Sequence, residues 1–391
     1  MFAVLSAARK SLGLIAILFS ILFLAACQDI VTTGGGPSIN TRAPVPVALL
    51  VPGGSGQAGD DILARSLENA ARLAIADLDG IKIDLRVYNT AGQPGQAAAM
   101  ATQAVNDGAK IILGPVFAES ANAAGLATAK RNVNVLAFSN NPAIAGGNVF
   151  VLGNTYQNTA NRLVGYAKRQ GKSSIMIVHA RNTSGESGRD AIKAAIARRG
   201  ARLAAIVSYE FSQNGVINAV PEIARTAKSS GAQSVFFTAD TAGALPFLAQ
   251  LLPEKGLNSA TTQFIGLTRW DIPSSTLSMP GVQGSWFALP DPARSAQFRA
   301  RYSSAYGEAP HPIAGLGYDG IAAIGALVKA GKSNALTKAA LTQGSGFSGV
   351  YGIFRLRPDG TNERGLAVAQ IQNNQVVVID PAPRSFGGAG F

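Results

Sequence analysis

Short apolar runs alternate with amphipathic stretches from residue 45 to residue 267. The first run, VPVALLV at residues 45–51, is continuous, as expected of a strand that is buried on both faces of a sheet. The stretch that follows, residues 62–78, carries its apolar residues at helical spacing. This alternation predicts repeated βα units, which build parallel sheets with helices on both faces.

The alternation restarts after residue 153, which predicts two α/β lobes of similar size. In the first lobe we predict strands over residues 45–51, 81–88, 110–113 and 133–138, and helices over 62–78, 96–107 and 120–131. In the second lobe we predict strands over 175–179, 203–209, 234–238 and 263–267, and helices over 159–170, 188–199 and 216–230. From residue 349 the pattern is that of strands joined by the polar turns Asp359-Gly360 and Asn373-Asn374.

The N-terminus has the pattern of a bacterial lipoprotein signal. Arg9 and Lys10 precede an apolar run of about 15 residues, which is short for a membrane span and typical of a signal peptide. The run ends in Leu24-Ala25-Ala26-Cys27, which resembles a lipobox, and Cys27 is the only cysteine in the chain. We predict a signal peptide over residues 1–26 and an acylated Cys27, with a cysteine in an ordinary anchor helix as the alternative.

The segments that flank the predicted lobes lack periodicity. Residues 27–43 are rich in Gly, Thr and Ser and are predicted to be a flexible tether, and residues 381–391 are predicted to be a tail. Gln28, and not an aspartate, occupies the position directly after Cys27, so we expect a lipid-anchored protein of the periplasm at the outer rather than the inner membrane.

The formal net charge of +12 raises the question of a nucleic-acid partner. Lys and Arg are scattered, however, without a basic run or interleaved aromatic residues. We therefore expect no nucleic acid, and a diffuse positive surface suits the anionic polymers of a cell envelope.

Enzyme motifs are incomplete. Gly54-x-Gly56-x-x-Gly59 resembles a dinucleotide fingerprint, but the next strand ends in Tyr88-Asn89-Thr90 without the acid that would hold a ribose. The stretch at residues 184–188 lacks the G-x-S-x-G register, and we expect His179 and His311 to be structural. Metal-ligand spacing is missing as well. We expect a non-catalytic protein that has neither cofactor nor metal.

Small polar residues follow several predicted strands. In an open α/β sheet, ligands collect beyond the carboxyl ends of the strands, and the helices that begin there attract carboxylates. The alternative is that such residues only cap helices and form turns. The loops are Glu119-Ser120, Ser139-Asn140-Asn141, Thr183-Ser184, Asp240-Thr241 and Thr268-Arg269-Trp270.

Three motifs give the chain a family resemblance. Gly114-Pro115 with Ser120, Ser139-Asn140-Asn141-Pro142 after a strand, and Gly317-Tyr318-Asp319-Gly320 resemble the type I periplasmic-binding proteins of the leucine/isoleucine/valine class. The resemblance covers about residues 45–380. It implies two Rossmann-like lobes, each a parallel sheet flanked by helices, joined by three crossovers near residues 154, 289 and 349. Lobe 1 would comprise residues 44–153 and 290–348, and lobe 2 residues 154–289 and 349–380.

The same resemblance implies where a ligand would bind. The loop Phe138–Asn140 matches the segment that holds a ligand carboxylate, with Ser139 and Asn140 as donors. A tyrosine is expected where Ser184-Gly185 stands and an acid near Thr268, and neither is present, although Asp240 could supply a negative charge. A buried ammonium without a partner costs several kcal/mol. The candidate ligand-binding residues are Glu119, Ser120, Phe138, Ser139, Asn140, Ser184, Asp240, Thr268 and Trp270.

A narrower resemblance is to the penicillin-binding-protein activators. It rests on LGPVFAES, LAFSNNP, ARNTSGESGRDA and the segment Arg269-Trp270-Asp271-Ile272-Pro273. It implies an envelope lipoprotein that regulates peptidoglycan synthesis through contact with a penicillin-binding protein, although the helical-repeat domain of the fuller activators is not seen in this sequence. The alternative is a substrate-binding lipoprotein whose lobes close on a small amino-acid-like ligand or amide and deliver it to an ABC permease.

Overall fold

The computed structural model describes residues 36–387. Cys27, the predicted acylation site, lies outside the described residues, as do residues 388–391. Among residues 36–387, none of the helices combines the length and the apolar character needed to cross a lipid bilayer.

Lobe 1 is built on a parallel sheet. Its strands are β1 (Val45–Val51), β2 (Ile83–Asn89), β3 (Ile111–Leu113), β4 (Asn134–Ala137) and β5 (Val149–Val151). The helices between them are α1 (Ala58–Ala76), α2 (Pro94–Asn106) and α3 (Ala118–Thr128). The strands lie in the order β2-β1-β3-β4-β5, and every pair is parallel.

Lobe 2 repeats this arrangement. Its strands are β6 (Ser174–Ala180), β7 (Arg202–Tyr209), β8 (Ser234–Phe237), β9 (Gln263–Gly266) and β10 (Trp286–Leu289). Its helices are α4 (Tyr156–Arg169), α5 (Thr183–Arg199), α6 (Gln213–Ser229) and α7 (Leu245–Glu254). The strand order β7-β6-β8-β9-β10 is the order of lobe 1 again, so the predicted α/β fold of two similar lobes is confirmed.

The rest of the chain first returns to lobe 1. The helices that follow β10 are α8 (Pro292–Tyr306), α9 (Gly315–Lys329) and α10 (Lys338–Leu341). The last strands are β11 (Phe347–Gly349), β12 (Gly352–Leu356), β13 (Asn362–Arg364), β14 (Ala367–Gln372) and β15 (Gln375–Asp380). Strands β14 and β15 extend the lobe 2 sheet in antiparallel pairing, and β11, β12 and β13 form a separate three-stranded sheet, named here the crossover sheet.

The continuous apolar strands are explained by burial on both faces. In β1, Val47 and Leu49 pack into a core with α1 and α9, whereas Ala48 and Leu50 pack on the opposite face with α2 and α3. Strand β6 alternates in the same way between two cores of lobe 2. Side chains on successive strand residues point to opposite faces, so a strand between two helical layers must be apolar at every position.

Residues from the predicted tether, lobe 2 and tail pack where they were not predicted to pack. Ile39 is buried in the lobe 1 core and its amide donates to the Ser333 carbonyl, although residue 39 falls within the predicted tether. Phe354 and Leu356 of the crossover sheet also belong to that core, although residues from 349 onward are predicted for lobe 2. The Arg355 guanidinium lies 4.6 Å from the ring centre of Phe386, which falls within the predicted tail.

The glycine motif after β1 forms a turn. Gly54 and Gly56 have φ values of 81° and 77°, in the left-handed region that side-chain-bearing residues avoid. The Gly54 amide donates to Asp61 Oδ1 at 3.0 Å, near the start of α1. The motif is therefore explained by the conformation of the loop.

Candidate ligand-binding cleft

A cavity of about 260 Å³ lies between the two lobes at the carboxyl ends of β9 and β10. Residues of α4 and of the loop after β9 line it from lobe 2, and the start of α9 lines it from lobe 1. Ligands of parallel α/β sheets bind at this edge. We name this cavity the cleft.

The walls of the cleft are mainly apolar. The apolar residues are Leu267, Ile272, Ala288, Pro290, Pro312, Ile313, Leu316 and Leu366. The polar residues are Asn154, Tyr156, Thr159, Thr268, Arg269, Tyr351 and Arg364. No aspartate or glutamate is among the described residues that line the cleft, so its charged side chains are both cationic.

Arg269 is the more accessible of the two cations. Its Nε donates to Asp271 Oδ1 at 2.6 Å and its Nη2 pairs with the other carboxylate oxygen. The Arg269 side chain is 35% exposed, and it also lines an adjoining cavity of about 440 Å³ that extends along α8 and β15. Arg269 is therefore held by its neighbour at a point from which a ligand carboxylate can be reached.

Two tyrosines bring hydroxyl groups to the cleft. The Tyr351 hydroxyl donates to the Pro312 carbonyl at 2.6 Å and accepts from the Gly315 amide at 3.1 Å. Burial raises the pKa of Tyr351 above its usual value, so the hydroxyl stays protonated at neutral pH. The Tyr156 hydroxyl lies 2.8 Å from Ser184 Oγ and links the cleft to a smaller recess in lobe 2.

Arg364 belongs to a buried polar network where the lobes meet. Its Nη1 donates to Asp319 Oδ2 at 2.9 Å and its Nε donates to the Leu152 carbonyl at 2.7 Å. Asp319 is fully buried, and its Oδ1 accepts from the Val350 amide at 2.8 Å. Asn362 donates to the carbonyls of Val151 and Gly153. The network holds β13 against the end of β5 and against α9.

This network also explains the Gly317-Tyr318-Asp319-Gly320 motif. Asp319 supplies the carboxylate for Arg364, and a Cβ on Gly317 would lie 2.5 Å from the Leu67 carbonyl oxygen. A Cβ on Gly320 would lie 2.7 Å from a methyl carbon of Leu113. The two glycines therefore allow α9 to pack closely against α1 and β3.

The predicted lobe 2 residues divide between three places. Thr268 lines the cleft, and its Oγ1 donates to the Ala239 carbonyl at 3.4 Å. Ser184 and Asp240 line the recess, which has a volume of about 130 Å³, and both are exposed. Trp270, also predicted as a ligand contact, is 1% exposed and packs near Phe237 in the core. Its aromatic ring fills space in the hydrophobic core of lobe 2.

The predicted lobe 1 residues line neither the cleft nor the recess. Phe138 is buried in the lobe 1 core, and Ser120 is fully buried and donates to the Gly92 carbonyl at 3.2 Å. Ser139 is nearly buried, and its Oγ accepts from the Asn141 amide at 3.1 Å. Glu119 and Asn140 are exposed. The buried residues Ser120, Phe138 and Ser139 therefore stabilise the fold of lobe 1 through packing and hydrogen bonds.

The two histidines lie outside the cleft. Burial lowers the pKa of both His179 and His311, so both are neutral at pH 7. His179 contacts the Ala180 carbonyl through Nδ1 at 3.0 Å, and His311 lines the adjoining cavity. Within the described residues there is no group of three or more His, Cys, Asp or Glu side chains placed to hold a metal ion.

Several cleft residues were not predicted from the sequence. Tyr156, Tyr351 and Arg364 stand in segments that are distant along the chain, and no local pattern marks them. Arg269 lies in the predicted loop Thr268-Arg269-Trp270, but it was not among the candidate ligand-binding residues. The cleft combines residues of α4, the loop after β9, the segment before α9 and the crossover sheet, so no single loop or spacing marks it.

Two similar α/β lobes with a cavity between them are the architecture of a bilobal binding protein. Residues 44–375 match the model of the Periplasmic binding protein family, and the chain belongs to that family. The predicted family is thereby confirmed. No curated protein sequence matches the chain.

Solved structures share this fold. A branched-chain amino acid ABC transporter ligand-binding protein of Burkholderia xenovorans LB400 is 18% identical, with a TM-score of 0.69 over 88% of this chain and 97% of that one. An ABC transporter substrate-binding protein of Desulfitobacterium hafniense in complex with Leu is 17% identical, with a TM-score of 0.63 over 86% and 100%. A solute-binding protein of Rhodopseudomonas palustris BisB5 in complex with 3,4-dihydroxybenzoic acid is 19% identical, with a TM-score of 0.59 over 87% and 96%.

Proposed function

We propose that this protein is the solute-binding component of an ABC transporter and that its cleft takes a small, largely apolar carboxylic acid. The observation that carries the proposal is a cavity of about 260 Å³ that both lobes line with apolar residues and two arginines. A ligand bound there is enclosed when the lobes close about their crossovers, and an ABC permease distinguishes the closed form from the open one. The protein binds its ligand without a reaction.

The charges of the cleft favour an acid over a zwitterion. A ligand carboxylate finds Arg269, whereas a ligand ammonium finds no carboxylate among the described lining residues. Asp240 lies in the recess, on the other side of the contact between Tyr156 and Ser184. Burying an unpaired ammonium costs several kcal/mol, so a ligand without one binds more tightly.

The same charges bear on the choice between transport and regulation of peptidoglycan synthesis. The tyrosine missing at Ser184 and the acid missing near Thr268 motivated the hypothesis of a penicillin-binding-protein activator, because an amino-acid site without them is incomplete. An acid ligand needs no such partner, so a working solute site is compatible with the residues present. The solved neighbours are ABC-transporter binding proteins, and this supports transport over the activator hypothesis.

A matched pair of ligands tests the proposal. We expect 4-methylpentanoate, which is leucine without its ammonium, to raise the melting temperature of the purified full-length protein more than leucine does. Benzoate and 3,4-dihydroxybenzoate extend the series. A ligand at 100 times its dissociation constant stabilises the folded state by about 2.7 kcal/mol, which a thermal-shift assay resolves.

The outcomes of this screen separate the alternatives. If leucine stabilises more than 4-methylpentanoate, and Asp240→Asn removes the leucine effect, the ligand is an amino acid that reaches into the recess. If neither the acids nor the twenty amino acids shift the transition, the solute-binding proposal fails and the regulatory hypothesis gains.

We also propose that Cys27 anchors the protein to a membrane through attached acyl chains, with the outer membrane favoured. Each buried CH₂ group contributes about 0.8 kcal/mol, so several chains hold a protein stably. Cys27→Ser should move the protein from the membrane fraction to the soluble fraction, measured by immunoblotting after ultracentrifugation. Density separation of the two membranes checks the final location, and retention of Cys27→Ser in the membrane would contradict the anchor.

A further inference from the structure

A second cavity, of about 270 Å³, lies where helices α4 and α5 of lobe 2 meet the crossover sheet. The described residues that line it are five arginines, two asparagines and one glutamate. Asn158 and Asn161 of α4 face this cavity, whereas Tyr156 and Thr159 of the same helix face the cleft. The two cavities therefore lie on different faces of α4. We name this one the arginine cavity.

The one glutamate among the described residues that line the arginine cavity, Glu363, forms ion pairs with two arginines. Glu363 Oε2 accepts from Arg355 Nε at 2.6 Å, and Glu363 Oε1 pairs with Arg357 Nη1 at 2.5 Å. Two guanidinium groups thus face one carboxylate, which leaves an excess of positive charge beside the cavity.

A second carboxylate near the cavity is shared in the same way. Asp380 Oδ2 lies 2.9 Å from Arg162 Nη1 and also pairs with Arg169. Arg162 is buried, and its remaining donors reach the carbonyls of Leu366, Asp380 and Pro381. Arg162 is therefore fixed in position at the cavity wall.

The end of α5 adds two further arginines. Arg198 is exposed and Arg199 is half-buried, and both line the cavity. Burial lowers the pKa of Arg199, and the charges of Arg198 and Arg169 lower it further, because like charges crowd this corner of the molecule.

Arg364 supplies the donor that points to a ligand. It is 6% exposed, it lines the arginine cavity as well as the cleft, and its Nη2 is buried without a hydrogen-bond partner. Buried polar groups are nearly always hydrogen-bonded, so an unpartnered guanidinium nitrogen beside a cavity marks a place for an acceptor. The other two Arg364 nitrogens donate to the Asp319 carboxylate and to the Leu152 carbonyl.

We propose that the arginine cavity binds a small oxyanion that carries two or more negative charges, with the chemistry shared by phosphate and the di- and tricarboxylates. Guanidinium groups match such oxygens by paired hydrogen bonds, and the excess of positive charge at this corner compensates the charge of the anion. Asn161 accepts from Gln157 through Oδ1, which leaves its amide nitrogen as a further donor. The site differs from the cleft in position and in ligand charge.

Calorimetric titration of the purified full-length protein with inorganic phosphate and, separately, with citrate tests the site. Ionic strength is held constant with sodium chloride, because general screening would otherwise imitate binding. We expect saturable binding of at least one probe, with one site per chain. Arg198→Gln should weaken it about tenfold or more, since a lost hydrogen bond to a charged group costs that much.

Arg225→Gln is the matched control. Arg225 is exposed on α6, outside the residues that line the cavity, and its substitution changes the net charge by the same amount. Because Arg198 is also exposed, neither variant should unfold the protein. Three results would overturn the proposal: no saturation with either probe, binding that Arg198→Gln leaves unchanged, or equal weakening by the two variants. None of these depends on whether the cleft binds an acid, so the two proposals fail separately.

Discussion

Asp319→Ala is expected to lower the free energy of unfolding by about 3–5 kcal/mol, the largest effect that we predict for a single substitution. Asp319 is fully buried, and its carboxylate accepts from Arg364 Nη1 at 2.9 Å and from the Val350 amide at 2.8 Å. Without it, the Arg364 guanidinium remains buried with an uncompensated charge. Urea unfolding followed by circular dichroism measures the loss.

A surface pair provides the control for this substitution. Asp79 lies 3.7 Å from Lys329, and both side chains are largely exposed, so Asp79→Ala should leave the urea midpoint within experimental error. The double variant Asp319→Leu with Arg364→Met should be less destabilised than Asp319→Ala alone, because it removes both charges. Equal urea midpoints for Asp319→Ala and Asp79→Ala would show that the buried pair of Asp319 and Arg364 contributes no more to the free energy of unfolding than the surface pair does.

The alternation of strands and helices could be predicted, because a strand that is buried on both faces of a sheet must be apolar at every position. Strand β1 has the predicted bounds, and β6 extends the predicted strand by one residue at each end. All six predicted helices begin two to five residues earlier than predicted. Helix α5 begins at Thr183, since the Asn182 side chain caps it by accepting from the Gly185 amide at 2.7 Å.

The same capping chemistry explains why the candidate site was predicted only in part. Small polar residues after strands were interpreted as ligand contacts, with caps and turns as the alternative. Asn141 Oδ1 accepts from the Ala143 amide, and Asn182, directly before Thr183-Ser184, caps α5 by accepting from the Gly185 amide. In these loops the alternative describes the structure, because a polar side chain at a helix start satisfies free amides whether or not a ligand binds there.

The cleft itself could not be predicted from local patterns. Pro290, Pro312, Tyr351 and Arg364 come from four separate segments: the loop after β10, the segment before α9, the turn before β12, and β13. Helices α8 and α9 were not predicted either, although Gly317 and Gly320 were noted as a motif. The reason for those glycines, close packing of α9 on α1 and β3, is a long-range contact that spacing along the chain does not reveal.

Arg269→Gln is expected to weaken the binding of a carboxylic acid to the cleft by about 10- to 150-fold. A hydrogen bond to a charged group contributes about 1.5–3 kcal/mol, and the Arg269 side chain is accessible enough to turn from Asp271 to a ligand. Isothermal titration with 4-methylpentanoate, or with the tightest acid found by the thermal-shift screen, gives the dissociation constants. The melting temperature without ligand is measured alongside, because the Asp271 side chain is only 12% exposed and loses its guanidinium partner in this variant.

Arg299→Gln is the matched control for the cleft. Arg299 is exposed and lines the adjoining cavity along α8 but not the cleft, so its loss removes the same charge from a nearby position. An acid in the cleft should lose affinity in Arg269→Gln and keep it in Arg299→Gln. If Arg299→Gln weakens binding as much, the acid occupies the adjoining cavity, where Arg269 and Arg299 both reach it. If neither substitution matters, attraction between a guanidinium and a carboxylate is not what selects the ligand, and apolar contact with residues such as Leu316 and Ile313 must account for its affinity.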